Sequence, residues 1–431
     1  MILRLSNSAQ RGTLVLVALL VAMFLSYFSI RNARAEQFAS LQTREGFERA
    51  TQLEPGDARN WYLLGRYWQF NLEDSDTQQA IRAYKIAASL DSHSADTWLG
   101  LGAAYESSGD LASARDAFLH AKKSYPLSAE VSWQYGNFLL RQGEFQSAFS
   151  EMRRAVEADP KRGAEAFSRA LRADPDVPRI LNQVLPPNRD VYVDVIWDQI
   201  GEGQTNIALQ VWDRLVAIHP RLSLRDVYPL FDALRNSKRI PDALRVWDQA
   251  VIMAGMADLQ GPRGSVLWDG GFESGVTGVG YSWFFSEGSR NVQISIDSQE
   301  KHSGNHSLRL TFDGKSIVSS AGVCHYVPVQ PLTSYRFSAW VKTRAITTDQ
   351  GVRFQLRSLG TLDISVAETP ELHGTEPWTR IEIPWSSGID VQEVQVCLVR
   401  SLSDQLENKI KGTTWVDDVA LVPEAAEHSK P

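Results

Sequence analysis

The sequence predicts a multidomain chain of α and β parts: an N-terminal transmembrane helix, an α-solenoid, and a C-terminal β-sandwich of jelly-roll type. Three observations predict it. Residues 12–30 carry no charge, a skeleton of small and aromatic residues recurs at a spacing of 34 in the first half, and beyond Met256 the helical period gives way to short alternating runs. The expected organisation is a short cytoplasmic tail over 1–11, an anchor over 12–30 and a solenoid over 35–255. A linker over 256–265, the sandwich over 266–425 and a tail over 426–431 complete it.

The anchor comes first. "GTLVLVALLVAMFLSYFSI" is flanked by Arg4 and Arg11 before and by Arg31 and Arg34 after. As a helix these 19 residues span roughly 28 Å, close to the hydrocarbon thickness of a bilayer. A cleaved signal peptide is the competing reading, with Ala33-Arg34-Ala35 as its site. The length of the apolar run and the arginines at that site favour an uncleaved, single-pass anchor in the inner (cytoplasmic) membrane, with the bulk of the chain extracytoplasmic or periplasmic. Either reading exports the chain.

The repeats follow. Gly102 recurs as Gly136, Gly109 as Gly143, Ala114 as Ala148, Ala121 as Ala155 and Pro126 as Pro160. Upstream, Trp61, Leu64, Gly65 and Trp68 repeat the opening, followed by Ala80, Tyr84 and Ala87. Gly and Ala let two helices approach closely, aromatics fill the holes beside them, and Pro closes each second helix. Half-repeats flank the array at Phe47, Ala50 and Pro55 and at Phe167, Ala170 and Pro175. A divergent pair, "ALQVWDRL" and "ALRVWDQA", follows the Pro186-Pro187 break.

The spacing W-x2-L-G-x2-Y, then Ala, aromatic, Ala and Pro, resembles the tetratricopeptide repeat. That resemblance implies a scaffold whose concave face, lined by the first helix of each repeat, binds a protein partner. Its groove positions fall on Arg59, Tyr62 and Arg66, then on Asp96, Leu99 and Ala103, then on Glu130, Trp133 and Asn137. Trp133 is displaced by one from the expected packing position, Ser132. It either turns into the core or offers the array's best anchor for a partner. The mixed charges give no carboxylate clamp.

The second half alternates with period two. "SYRFSAWVKT" sets Tyr335, Phe337, Ala339 and Val341 against Arg336, Ser338, Trp340 and Lys342, and "GVRFQLR" behaves likewise. Some eight or nine strands fit between Val266 and Val422, enough for two sheets. Phe272, in "LWDGGFESGV", is the expected inward residue of the first strand. Cys324 and Cys397 lie on strands of similar parity, as a disulfide in an oxidising compartment or as two free thiols.

An opening Gly-Phe-Glu, the turn "HSGNHSLRL", "PWTRIEI" and a closing "WVDDVAL" together resemble the carbohydrate-binding modules of the cellulose/xylan-binding, galactose-binding-like class. This likeness implies a structural calcium held by Glu273 and Asp417 (or Asp418), with backbone carbonyls near Lys301 and Asn305. Calcium takes hard oxygen ligands, and there it would tie the first strand to the last. A polysaccharide face needs a flat aromatic and planar polar side chains. Trp340, Arg353, Gln355 and Arg357 share the polar parity of two neighbouring strands, with Tyr326 on the outward side of its own and Trp283 at one rim. The alternative for each is packing beneath a loop.

The net charge of −7 argues against a nucleic-acid partner. The eight His show no paired metal spacing, no G-x-S-x-G elbow occurs, and "GLGAAY" lacks the third glycine of a dinucleotide loop. Acid pairs such as Glu273 and Glu382 have nothing to hold them at a glycosidase separation. The expectation is a non-catalytic adaptor: a solenoid for a protein partner and a sandwich for polysaccharide, in envelope or exopolysaccharide assembly. The alternative is a pure protein-interaction scaffold whose sandwich has no sugar affinity.

Overall fold

A computed structural model describes residues 8–259, 261, 264–286, 292–362, 365–404 and 408–424. Residues 1–7 of the expected N-terminal tail, the C-terminal tail at 426–431, and positions 260, 262 and 263 of the linker lie outside them. The chain forms two compact units, residues 1–191 and 192–431.

The first unit is helical. Its elements are α1 (Ser8–Ser40), α2 (Arg44–Leu53), α3 (Ala58–Phe70), α4 (Thr77–Leu90), α5 (Ala95–Ser108), α6 (Leu111–Ser124), α7 (Ala129–Arg141), α8 (Phe145–Ala158), α9 (Gly163–Ala173) and α10 (Val177–Gln183). Most starts are written in the sequence. Asp57, Asp76, Ser94, Asp110 and Ser128 each accept a main-chain N–H in the first turn of the helix that follows, satisfying donors left open at a helix start.

Paired helices pack through the recurring small residues. A Cβ on Gly65 would lie 2.8 Å from the Tyr84 ring, and one on Gly102 3.1 Å from Phe118, so the aromatic of each second helix sits where the glycine leaves room. The core follows the repeat, with Leu64, Ala80, Tyr84 and Ala104 in one cluster and Ala114, Phe118, Phe138 and Ala148 in the next.

The expected anchor and the residues that pack on the first repeats belong to one helix. α1 runs on for ten residues past Ile30, buries Ala35 and fixes Arg31 on Glu54 through bonds of 2.7 and 2.9 Å. Between Leu14 and Ile30 its large apolar side chains are exposed except for the half-buried Phe28, and the span has a mean hydropathy of 2.4.

The second unit contains most of α11 (Arg189–Gly201), then α12 (Thr205–Ala217), α13 (Leu224–Asn236) and α14 (Ile240–Met253), followed by ten strands among the described residues. These are β1 (Phe284–Phe285), β2 (Gln293–Asp297), β3 (Ser307–Ile317), β4 (Ser320–Pro328) and β5 (Ser334–Ile346). β6 (Arg353–Ser358), β7 (Val366–Glu368), β8 (Gly374–Ser386), β9 (Glu393–Val399) and β10 (Lys409–Pro423) complete them. They form two antiparallel sheets, β1-β4-β9-β6-β7 and β2-β3-β10-β5-β8. The inward residues of both, among them Leu308, Val327, Phe337, Phe354, Leu356, Val396 and Val416, make the core between the sheets.

The stretch expected to hold the first strand forms a turn instead. Asp269 and Phe272 take positive φ of 52° and 56°, and the Phe272 N–H donates to the Asp269 carbonyl. Phe272 does point inward, fully buried and stacked on Trp283 at 4.7 Å.

The helices of this unit and the sandwich share an aromatic cluster. Trp247 meets Trp268 edge-on at 5.3 Å, and Phe231 meets Tyr281 at 4.8 Å. Gly280 (φ +62°) is the residue that permits this, because a Cβ there would fall 2.1 Å from the Trp247 ring. The Asp269 N–H donates to the Leu259 carbonyl, so the chain on either side of residues 260–268 is drawn together.

Candidate functional site: one face of the sandwich and the solenoid groove

The outward row of the first sheet is built by strand pairing. Tyr326 on β4 lies opposite Gln395 on β9, which lies opposite Arg357 on β6. The next row is Phe284, Cys324, Cys397, Gln355 and Glu368. Four of the residues chosen from the sequence, Tyr326, Arg353, Gln355 and Arg357, therefore share one face. The strand that joins them, β9, had not been placed there, so Gln395 was missed. Its polar parity within "EVQVCLVR" was the available signal.

The groups on this face are differently engaged. Arg357 is exposed and has no ion pair among the described residues. Gln395 is half-buried, 3.5 Å from the Tyr326 hydroxyl. Gln355 donates to Glu368, and Arg353 is held by Glu368, Glu371 and Gln350. Tyr326 is covered: Phe284 stacks on it at 4.7 Å, and the Arg235 guanidinium lies 3.4 Å from its ring centroid. Cys324 and Cys397 are joined in a disulfide across opposite positions of β4 and β9.

Two other expected sugar contacts lie elsewhere. Trp340 sits on β5, in the other sheet, between Asp417 and Arg380. Because β5 and β6 both send their apolar residues into the core, their polar residues leave on opposite outer faces. Alternation reveals which residues share a face, not which strands are neighbours. Trp340 is also capped, with the His302 ring parallel to it at 3.9 Å. Trp283 frames no rim: it is fully buried and its indole N–H donates to the Asp269 carbonyl.

The acids expected at a calcium ion converge on the turn between β2 and β3. Glu273 Oε1 accepts from the Asn305 and His306 N–H groups at 2.6 and 3.2 Å, and its Oε2 meets His306 Nδ1. Asp417 Oδ2 accepts from the His302 and Ser303 N–H groups at 2.7 and 3.1 Å. Asp418 holds the His302 ring and the Ser303 hydroxyl. A Cβ on Gly271 would sit 3.7 Å from Asp417 Oδ1 and 3.8 Å from Glu273 Cγ, so both side chains border the space beside Gly271.

Burial pushes the Asp417 carboxyl up. Burial acts the same way on Glu273, but the N–H donors outweigh it and hold that carboxyl low. Two hard-oxygen side chains suit calcium in type. No group of three or more His, Cys, Asp or Glu able to hold a metal occurs among the described residues, so the remaining ligands would be carbonyls such as those of Lys301 and Asn305.

In the solenoid, Arg59 and Arg66 are exposed and line a cavity of about 720 Å³ between α1 and α3. Tyr62 packs on Tyr84 at 5.9 Å, and Asp96 is exposed. Leu99 turns inward, at 4% exposure. Trp133 also goes to the packed side: it is 8% exposed, beneath the guanidinium groups of Arg162 and Arg169 at 5.3 and 5.1 Å. Glu130 binds Arg162 at 2.7 Å, and Asn137 accepts from Arg169 at 3.0 Å.

Residues 264–399 match the carbohydrate binding domain family, and residues 72–129 and 117–163 match the tetratricopeptide repeat. The chain carries tetratricopeptide repeats and a C-terminal carbohydrate-binding domain. Protein bimA of Emericella nidulans is 33% identical over 104 residues, covering 24% of this chain and only 12% of that protein's length. YrrB, described as a TPR protein with an unusual peptide-binding site, is 17% identical over 49% of this chain and 94% of its own, with a TM-score of 0.26. The CBM22-1 xylan-binding domain of Paenibacillus barcinonensis Xyn10C is 16% identical over 36% and 93%, with a TM-score of 0.27.

Proposed function

We propose that this protein is a membrane-anchored, non-catalytic adaptor, its solenoid holding a protein partner and its sandwich a polysaccharide, in envelope or exopolysaccharide assembly outside the cytoplasm. The observation that carries the polysaccharide half is the outward row Tyr326–Gln395–Arg357. A guanidinium with no ion pair among the described residues and a planar amide stand side by side there, the groups that bind vicinal hydroxyls in pairs.

The anchor is supported by α1. Its exposed apolar surface calls for a bilayer, while Arg31 and Ala35 belong to the folded solenoid, which cleavage nearby would disrupt. The extracytoplasmic side is supported by the disulfide, which persists in oxidising compartments. A structural calcium at Glu273 and Asp417, or Asp418, belongs to the same reading and would fasten the turn before β3 to β10.

Binding of the full-length protein, in detergent, to a glycan array tests the proposal. Retention of at least one polysaccharide supports it, and retention of none leaves the second reading, a protein-interaction scaffold without sugar affinity. That reading draws on Arg353 and Gln355 being engaged by neighbouring acids, and on Arg235 lying over Tyr326.

A further inference from the structure

Inside the second unit, a cavity of about 500 Å³ separates part of α14 from the sandwich. Its size is that of pockets that hold small molecules, and such pockets favour the seam between packed parts of different type. Its walls are apolar. Leu244 and Trp247 come from α14, Leu267 and Trp268 from the segment ahead of β1, and Val329 and Tyr335 from the approach to β5 and its start.

These walls are fixed by main-chain hydrogen bonds. The Val266 N–H donates to the Leu421 carbonyl at 2.8 Å, and the Val329 N–H to the Gln392 carbonyl at 2.9 Å. The Gln330 N–H donates to the Tyr335 hydroxyl at 2.8 Å. Pro241, Pro328, Pro331 and Pro423 also line the space, and their rings hold φ in place. A preformed cavity spares a ligand much of the ordering cost of binding.

One charge borders this space. Asp248, on α14, is the only Asp, Glu, Lys, Arg or His among the lining residues. It is exposed, and it makes no hydrogen bond or ion pair with the described residues. The apolar surroundings push its carboxyl up, and no cation of the described residues acts against them. The arginines of α14 and its start are committed elsewhere, Arg245 to Asp213 and Arg239 to Asp242. A lone carboxylate beside aromatic and aliphatic walls selects for positive charge and apolar surface in one molecule, and it repels anions.

We propose that this cavity binds a small organic cation with an apolar body, its ammonium group on Asp248 and its hydrocarbon part among Leu244, Val329 and Trp268. The site shares no residue with the row Tyr326–Gln395–Arg357 or with the first-helix groove, and the inference does not depend on either. Since α14 and the sandwich each supply a wall, the bound cation fastens one to the other.

The test is isothermal titration calorimetry on the full-length protein in lipid nanodiscs, with empty nanodiscs as the blank for partitioning. The probe is phenethylamine, cationic at neutral pH, and phenethyl alcohol is its neutral counterpart. The amine is expected to bind about tenfold or more tightly than the alcohol. Asp248→Asn, at an exposed position, should weaken the amine by about the same factor and leave the alcohol within about twofold. Leu244→Trp, which narrows the cavity from α14, should weaken both, with the helical circular dichroism signal and a cooperative melt as the check on its fold. The capped amino acid acetyl-lysine amide presents the cation of a protein side chain and should bind more weakly than phenethylamine.

Equal affinities for amine and alcohol, an amine affinity unmoved by Asp248→Asn, or no binding of any probe overturns the proposal. Tighter binding of the lysine amide than of phenethylamine overturns it too, because that result assigns the cavity to a partner's side chain.

Discussion

Arg235 on α13 lies over the ring of Tyr326 on β4, its guanidinium carbon 3.4 Å from the centroid, and its Nε reaches both oxygens of Glu393 at 3.0 and 3.2 Å. Glu393 is 3% exposed, and burial pushes its carboxyl up against the pull of Arg235. Removing the arginine strands a buried carboxylate. Arg235→Ala is expected to cost about 3–5 kcal/mol in urea unfolding, and Glu393→Gln clearly less. Equal, small losses for both would mean that the pair is solvated and holds nothing.

Two buried groups give stability opposing pH slopes. Burial lifts the Asp269 carboxyl to about 6, against the Ser274 hydroxyl and main-chain N–H groups that lower it. The folded state therefore binds an extra proton between about pH 4 and 6, and stability falls as pH rises through that window. Burial lowers His325 to about 4, so its contribution is instead lost as pH falls from about 6.5 toward 4. Each swing is on the order of 3 kcal/mol. Relative to wild type, Asp269→Asn should lose stability on acidification, and His325→Asn on raising the pH to 6. Unchanged slopes in both variants would refute the assignment.

Calcium at Glu273 and Asp417 predicts a metal-dependent melting temperature. An excess of about 100-fold over the dissociation constant stabilises by about 2.7 kcal/mol. Chelator should lower the Tm of the wild-type chain, and Glu273→Gln should abolish the difference. A Tm indifferent to calcium would leave Glu273 and Asp417 as acceptors for the turn's N–H groups, and Asp418 as a partner of His302 and Ser303, alone.

The disulfide closes a separation of 73 residues between the central strands of the first sheet. Reduction, or Cys324→Ala with Cys397→Ala, is expected to destabilise by about 2–4 kcal/mol without altering the helical signal. An unchanged denaturation midpoint would show that strand pairing alone fixes β4 on β9.

The sequence was most legible where one residue's size dictates its neighbour. Gly65 and Tyr84 are written at repeat spacing because the ring fills the space a side chain would take. The same logic left Trp133 open between core and groove, because its burial is completed by Arg162 and Arg169, supplied about thirty residues later at no fixed repeat position. In the sandwich, alternation placed Phe337 and Phe354 correctly in one core, yet Trp340 and Arg357 ended on opposite faces. Which strand pairs with which depends on long-range topology. The cap on Trp340 by His302, and the cover on Tyr326 by Arg235, come from distant segments whose approach no local pattern records.

Affinity electrophoresis of the full-length protein, in detergent, through gels containing a panel of soluble polysaccharides tests the central claim most directly. The account predicts that at least one polysaccharide retards the wild-type chain. Arg357→Ala with Gln395→Ala should abolish the retardation, and Trp340→Ala should leave it within about twofold, since truncating a side chain that touches no ligand costs no binding energy. No retardation by any polysaccharide, or retardation that survives the double substitution, would contradict it.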